Sequence, residues 1–315
     1  MWAVLVIFVF CGVLSTFALV EPISAEADEK ATEALLVALR NPNASIEEVT
    51  QLIREGADVN AVNGIGWTSL MMAAARSENP EILRVLIEAG ADVNAVASRD
   101  PVWKGMTSLI LAASFNSNPE VLQVLIENNA DVNSANFEGW TPLIQAASFH
   151  DHGIIRTLIE KGAKVNAINK MGWTALMRAA RDSSDPDVLR VLIENGADVN
   201  TVNENGGTAL MWAARDSSNP EVLRIRGSSN PEVLRILIEN GADVNAVDKD
   251  GETALMWAAR DSSNPEVLQV LVENGADVAV KDKKGKNALD YAEENEKLKG
   301  THIDNFLREK TLPAE

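Results

Sequence analysis

Apolar and polar positions along this chain alternate in a phrase that returns many times. In residues 172–205, Thr174 opens a short apolar stretch, Ala175-Leu176-Met177-Arg178-Ala179-Ala180, rich in side chains small enough for another helix to approach closely. Asp182-Ser183-Ser184 breaks it. Asp185-Pro186-Asp187 then predicts a second helix: an acceptor at the N-cap, proline at the first helical position, and an acid near the positive end of the dipole. Val188, Leu189, Val191, Leu192 and Ile193 give that helix one apolar side. Gly196 stands where a left-handed C-terminal cap is wanted. The polar run from Ala197 to Asn205, followed by Gly206 and Gly207, has a turn composition.

The phrase recurs through two independent markers. GADVN and its variants begin at Gly56, Gly90, Asn129, Gly162, Gly196, Gly241 and Gly275, at intervals of 34, 39, 33, 34, 45 and 34 residues. Gly-x-Thr-x-Leu keeps step, with Thr68, Thr107, Thr141, Thr174, Thr208 and Thr253, and Asn287 in the seventh place. The helix-start signal returns as Asn79-Pro80-Glu81, Asn118-Pro119-Glu120, Asn230-Pro231-Glu232 and Asn264-Pro265-Glu266. One such unit cannot bury its own apolar face, but stacked units share a continuous core.

This arrangement resembles the ankyrin repeat over about residues 31 to 312. The resemblance implies an all-α repeat solenoid of stacked helix-turn-helix units with β-hairpin-like connecting loops. The family's Thr-Pro-Leu-His opening is present only as far as Thr141-Pro142-Leu143. Its histidine is replaced by Met71, Ile110, Ile144, Met177, Met211 and Met256, whose packing must substitute for the missing hydrogen bonds. The organisation expected is a leader (1–27), an N-terminal capping helix pair (28–63), six repeats (64–284), and a C-terminal capping repeat with a polar tail (285–315). In the first cap, helices are expected over Ala31 to Arg40 and Ser45 to Arg54, with Ser45-Ile46-Glu47-Glu48 as a capping box.

Two places break the period. Before Thr107, five extra residues enlarge the loop Ala97 to Lys104. Further on, Ser217 to Ile225 is repeated word for word as Ser228 to Ile236, which accounts for the interval of 45. Only the second copy runs on into Leu237-Ile238-Glu239-Asn240-Gly241, so about residues 217 to 227 are expected to loop out at the helix-turn end. Lengthening a surface loop costs only about 0.6 kcal/mol per doubling.

Trp2 to Val20 form a nearly unbroken apolar run, and Ala25 and Ala27 have the spacing of a signal-peptidase site. A cleaved signal peptide is expected; an uncleaved anchor is the alternative, because the run is as long as a spanning helix of about 20 residues. Either places the repeats outside the cytoplasm, in the periplasm or secreted, and points to a bacterial source. Cys11 is the only cysteine of the 315 residues and lies in this segment, so the remainder has no thiol for disulfides, thiolate metal sites or nucleophilic catalysis. The acidic excess, 46 − 28 = 18 charges, disfavours nucleic acid and keeps a rod soluble.

No phosphate loop, nucleophile elbow or zinc-protease helix is present in the sequence. His150-Asp151-His152 is the one local cluster, without the further ligands a closed metal site needs. No catalytic residue, metal or cofactor is therefore assigned. The reading is a non-catalytic scaffold for another protein, touching a membrane only through its leader if that segment is uncleaved. The residue between Gly and Thr is expected to point outward: Trp67, Met106, Trp140 and Trp173, then Gly207, Glu252 and Lys286, with Trp103 on the enlarged loop beside them. Exposed tryptophans favour partner binding. Phe115 and Phe149 are placed on the concave side, with Arg181-Asp182, Arg215-Asp216 and Arg260-Asp261 at the same place further on, and Trp212 and Trp257 one turn earlier. The expectation is an aromatic zone toward the N-terminus and a charged one toward the C-terminus.

Overall fold

Each unit of sequence becomes an inner helix, a turn, an outer helix and an extended finger. The structure is a computed structural model that describes residues 25–149, 152–183, 185–215, 230–299 and 301–311. The apolar leader through residue 24, the first copy of the duplicated phrase, and His150 with Asp151 lie outside the described residues.

The inner helices are Ser69–Arg76, Ser108–Phe115, Pro142–Phe149, Ala175–Asp182, Ala209–Ala213, Ala254–Asp261 and Ala288–Glu294. The threonine of the marker starts them. Thr68, Thr107, Thr174, Thr208 and Thr253 each accept the amide three residues on, at 3.1–3.3 Å. Those amides belong to Met71, Ile110, Met177, Met211 and Met256, whose side chains are fully buried, as is Ile144. Packing has replaced the family's histidine, as expected.

The outer helices are Pro80–Glu88, Pro119–Glu127, His152–Glu160, Pro186–Glu194, Pro231–Glu239 and Pro265–Glu273. Asn79, Asn118, Asp185, Asn230 and Asn264 cap five of them, accepting the amide two residues on at 2.9–3.0 Å. Apolar residues from Ala31 to Leu307 form one continuous core along the stack.

Both ends differ from expectation. The first helix is Ala25–Ala38 rather than Ala31 to Arg40, and the second is Ile46–Arg54. Ser45 does accept the Glu48 amide at 3.0 Å. The reciprocal two-way capping box is found instead at Asn287 and Asp290. At the other end the expected polar tail contains a helix, Ile303–Thr311, which buries Ile303 and Leu307. Ile303 and Leu307 stand one helical turn apart with Phe306 beside them, and together with Leu298 they close the last unit's apolar face.

The asparagine of GADVN sews the units together. The side-chain amides of Asn60, Asn94, Asn133, Asn166, Asn200 and Asn245 donate to the carbonyls of Gly90, Asn129, Gly162, Gly196, Gly241 and Gly275, at 2.8–3.1 Å. Their side-chain oxygens accept the amides of Asp92, Asp131, Lys164, Asp198, Asp243 and Asp277, at 2.8–2.9 Å. Asn200 makes these bonds to residues 41 and 43 positions away, against 29 to 37 for the others, at the same lengths. The extra chain therefore leaves the stack in phase. The second copy supplies the packed helix, with Val233, Leu234, Ile236 and Leu237 buried.

The fingers are turns rather than sheet. Backbone bonds close them, for example Asn136 N to Trp140 O and Asn169 N to Trp173 O, both 3.1 Å. Only isolated bridges, Val62 with Thr68 and Val247 with Thr253, carry a hairpin pattern among the described residues. Neighbouring tips also bond through backbone, Phe137 N to Lys104 O and Lys170 N to Glu138 O, each at 2.9 Å. That closeness requires glycine: at Gly139, with φ +81°, a Cβ would sit 2.9 Å from Asn169 Cα.

Candidate functional site

The residue between Gly and Thr does not point outward. Trp67 and Met106 are 4% exposed and Trp173 is 7% exposed; Glu252 is buried and Trp140 half-buried. This corrects the exposed column expected from sequence, and the cause is the joint between units. Trp140, Trp173 and Glu252 each pack on the position four after the next unit's Thr or Asn. Trp140 lies under the Arg178 guanidinium, 5.4 Å from ring centre to Cζ, and Trp173 lies 4.5 Å from Trp212. Glu252 accepts the Tyr291 hydroxyl at 3.0 Å. Trp67 takes the edge of Trp103 from the enlarged loop, 4.9 Å between ring centres. Met106 receives the Asn136 side-chain amide on its sulfur at 3.5 Å. Where Gly207 has no side chain, Trp212 fills the space; its Nε1 lies 3.2 Å from where a Cβ would stand.

The concave face is also arranged differently from the expected two zones. Aromatic rings and arginines interleave along its C-terminal half. Arg181 stacks over Trp173 and Trp212 at 5.3 and 5.6 Å, and Arg215 over Trp212 and Trp257 at 5.7 and 5.4 Å. Trp257 is buried and meets Trp212 edge-on at 5.0 Å. Arg260 covers Tyr291 at 5.5 Å. Acids hold these guanidiniums: Asp182 on Arg178 and Arg181, Asp261 on Arg215 and Arg260, and Glu252 on Arg260. The Arg181 and Arg260 side chains remain about one-third exposed. A planar donor supported on an aromatic face and pinned by a carboxylate is presented with little remaining freedom.

Burial works against charge on Arg260, but the bonds to Glu252 and Asp261 outweigh it and hold the guanidinium more firmly protonated than usual. At the last unit Tyr291 takes the tryptophan's place, its hydroxyl donating to Asp282 at 2.6 Å. Burial and the two neighbouring carboxylates raise the phenol above its ordinary range. Burial pushes the Asp282 carboxyl up, but the Tyr291 hydroxyl and the amides of Lys286 and Lys284 outweigh it and hold it below the usual carboxylate range.

Toward the N-terminus, Trp103 is half-buried and meets Phe115 at 6.0 Å. Phe115 is 56% exposed. Phe149 ends its inner helix, and its side chain lies outside the described residues. The finger tips add a feature that the sequence reading missed. Ile65, Val102, Phe137 and Met171 are exposed on the first four tips, whereas the last three present Glu204, Lys249 with Asp250, and Lys283 with Lys284. The exposed apolar tip residue is thus confined to the first four tips, whereas charged ones, Lys104, Glu138 and Lys170 among them, occur along the whole series. Lys170 covers the Phe137 ring at 3.4 Å.

His152 acquires neighbours from the next unit. Its Nδ1 is 2.9 Å from Asp185 Oδ2, and Asp187 completes a group whose ligand atoms lie within 4.8 Å of one another. Both acids already have work: Asp185 caps its helix, and Asp187 pairs with Arg190 at 2.5 Å. Burial raises the Asp185 carboxyl, but the His152 ring and two backbone amides outweigh it and lower it overall. A closed metal site needs about four ligands, and the described residues offer three.

The family description "Ankyrin repeats (3 copies)" matches residues 15–97, 95–169, 167–225 and 223–303. Among curated proteins, the mitochondrial disaggregases of Homo sapiens and Bos taurus are 46% and 45% identical over 71 residues. That is 22% of this chain and 10% of the length of each disaggregase. Among solved structures, the human ASB11 ankyrin repeat domain superposes with a TM-score of 0.63 at 25% identity, covering 79% of this chain and all of that domain.

Proposed function

The chain belongs to the ankyrin-repeat family, and from that premise we propose that it is a non-catalytic scaffold which holds another protein against its fingers and concave groove. One observation carries this reading. Of the ten large apolar residues exposed among the described ones, eight sit on the finger side, and Phe115 lies in the groove beside them. Soluble proteins seldom leave aligned apolar side chains in water without a use for them.

The test is capture of a partner by crosslinking in the producing cell, followed by mass spectrometry. Replacing Phe115, Phe137 and Arg181 by alanine is expected to abolish capture while leaving the helical signal unchanged. Unchanged capture would remove the assignment. Trp67, Met106, Trp173 and Trp257 are unsuitable targets, since their burial couples any loss of binding to a loss of packing.

The apolar run over residues 2–20 supports action outside the cytoplasm, periplasmic or secreted, after cleavage near Ala25 or Ala27. Its length, close to that of a spanning helix, supports a second reading as the alternative, a membrane-tethered structural or protective protein of the cell envelope. The amino-terminal sequence of the mature protein separates them: a start after Ala25 or Ala27 supports release, a start at Met1 supports the tether.

A further inference from the structure

A cavity of about 280 Å³ opens at the N-terminal mouth of the groove, between the first helix pair, the first finger and the helix Ser69–Arg76. Its apolar wall is Trp67, Met72 and Ile65; its rim carries Asn63, Arg40 and Arg76. The wall is already fixed. Trp67 and Met72 are buried, and the Asn63 amide donates to Met72 Sδ at 3.4 Å.

The two arginines are not fixed. Both are exposed, and no carboxylate of the described residues pairs with either. The arginines deeper in the groove behave otherwise, Arg178, Arg181, Arg215 and Arg260 each meeting an Asp or Glu. Unpaired arginines on a cavity rim stand out in a chain with 46 acidic residues against 28 basic ones. Arg99 adds a third positive group nearby, donating to the Asn63 carbonyl at 3.4 Å. The same place on successive inner helices is Arg76, Phe115, then Asp182 and Asp261, the last two already paired with arginines.

We infer that this cavity anchors a carboxylate: it takes an acidic side chain of the bound protein segment, with an adjacent apolar side chain against Trp67 and Met72. The inference rests on the scaffold reading and adds the partner's chemistry and direction. Guanidinium is suited to the role because its planar fork matches a carboxylate with two parallel bonds. With the whole chain strongly acidic, long-range attraction does not help such a ligand, so the anchor confers selectivity and orientation rather than speed.

The test uses the full chain and a dye-labelled, N-acetylated and C-amidated peptide Leu-Phe-Glu-Phe-Leu, read by fluorescence anisotropy against its Gln counterpart. The Glu peptide is expected to bind about tenfold more tightly. Arg40→Gln and Arg76→Gln should each remove most of that preference. The double reversal Arg40→Glu with Arg76→Glu should turn it toward a Lys counterpart, which a merely damaged fold would not do. Inorganic phosphate, sharing charge but lacking the apolar body, should not displace the peptide at comparable concentration. Equal binding of the Glu and Gln peptides, binding of neither, a preference that survives both Gln variants, or displacement by phosphate overturns the inference. Capture of a protein partner by the unaltered chain is scored separately; where it persists beside such a result, the anchor falls and the scaffold reading stands.

Discussion

Individual residues here answer to their neighbours in the next unit. Gly139 and Gly196 both have positive φ, +81° and +88°, but a Cβ at Gly139 meets the adjoining finger's backbone at 2.9 Å, whereas Gly196 has open space. Asn129, at φ 63°, already occupies the place equivalent to Gly196. Gly196→Asn is therefore expected to cost less than about 1 kcal/mol, and Gly139→Asn at least 1 kcal/mol more, read from urea denaturation. Tyr291 gives a second test. Its bonds to Asp282 and Glu252 are expected to make Tyr291→Phe cost about 1–3 kcal/mol. Because the folded Asp282 carboxyl is held low, its contribution is complete above the usual carboxylate range and is lost as pH falls through and below that range. The raised Tyr291 phenol has the opposite sense: its contribution is complete below the ordinary phenol range and fades as pH rises beyond it. Tm measured against pH should show both limbs, with the acid limb flattened in Asp282→Asn. Sequence alone showed that Trp67, Trp140 and Trp173 share a register. It could not show that the register faces a joint, because their covering groups, Trp103, Arg178 and Trp212, come from elsewhere in the chain.

At the scale of the helix and finger, the sequence was far more legible. Threonine caps, Asn-Pro-Glu starts and the left-handed glycines all rest on bonds within a few residues, which local spacing encodes directly. The unit boundaries followed from those. What spacing does not encode is the partner of a long-range bond, so the asparagine of GADVN was recognisable as a marker before its purpose was. Asn166→Ala removes the bonds to Gly196 O and Asp198 N and is expected to lower stability by about 1–3 kcal/mol. Hydrogen exchange should place the loss at the joint between those two units, since stability in a stack is a sum over nearest neighbours. Removing residues 217–227 is expected to leave the fold intact and Tm unchanged or slightly higher; a collapse of the helical signal would show that the first copy contributes packing. The C-terminal helix was the main failure of reading at this scale. The spacing of Ile303, Phe306 and Leu307 does carry a helical stripe, but it is short and set among charged residues, and the apolar face it covers belongs to the last unit.

For the molecule as a whole, one core runs from Ala31 to Leu307, and exposed apolar tip residues are confined to the first four fingers. Among the described residues no helix is long and apolar enough to cross a membrane. Charge on this scale favours solubility, and the stack offers one long face rather than a closed pocket. The consequence lies in the seam of asparagines, which asks only that a side chain reach the carbonyl and amide of whatever follows. It does not register how much chain lies between. Chain added between two helices is accommodated there without moving the following units out of phase. Natural selection can thus try new material on this protein without first repairing the frame that carries it.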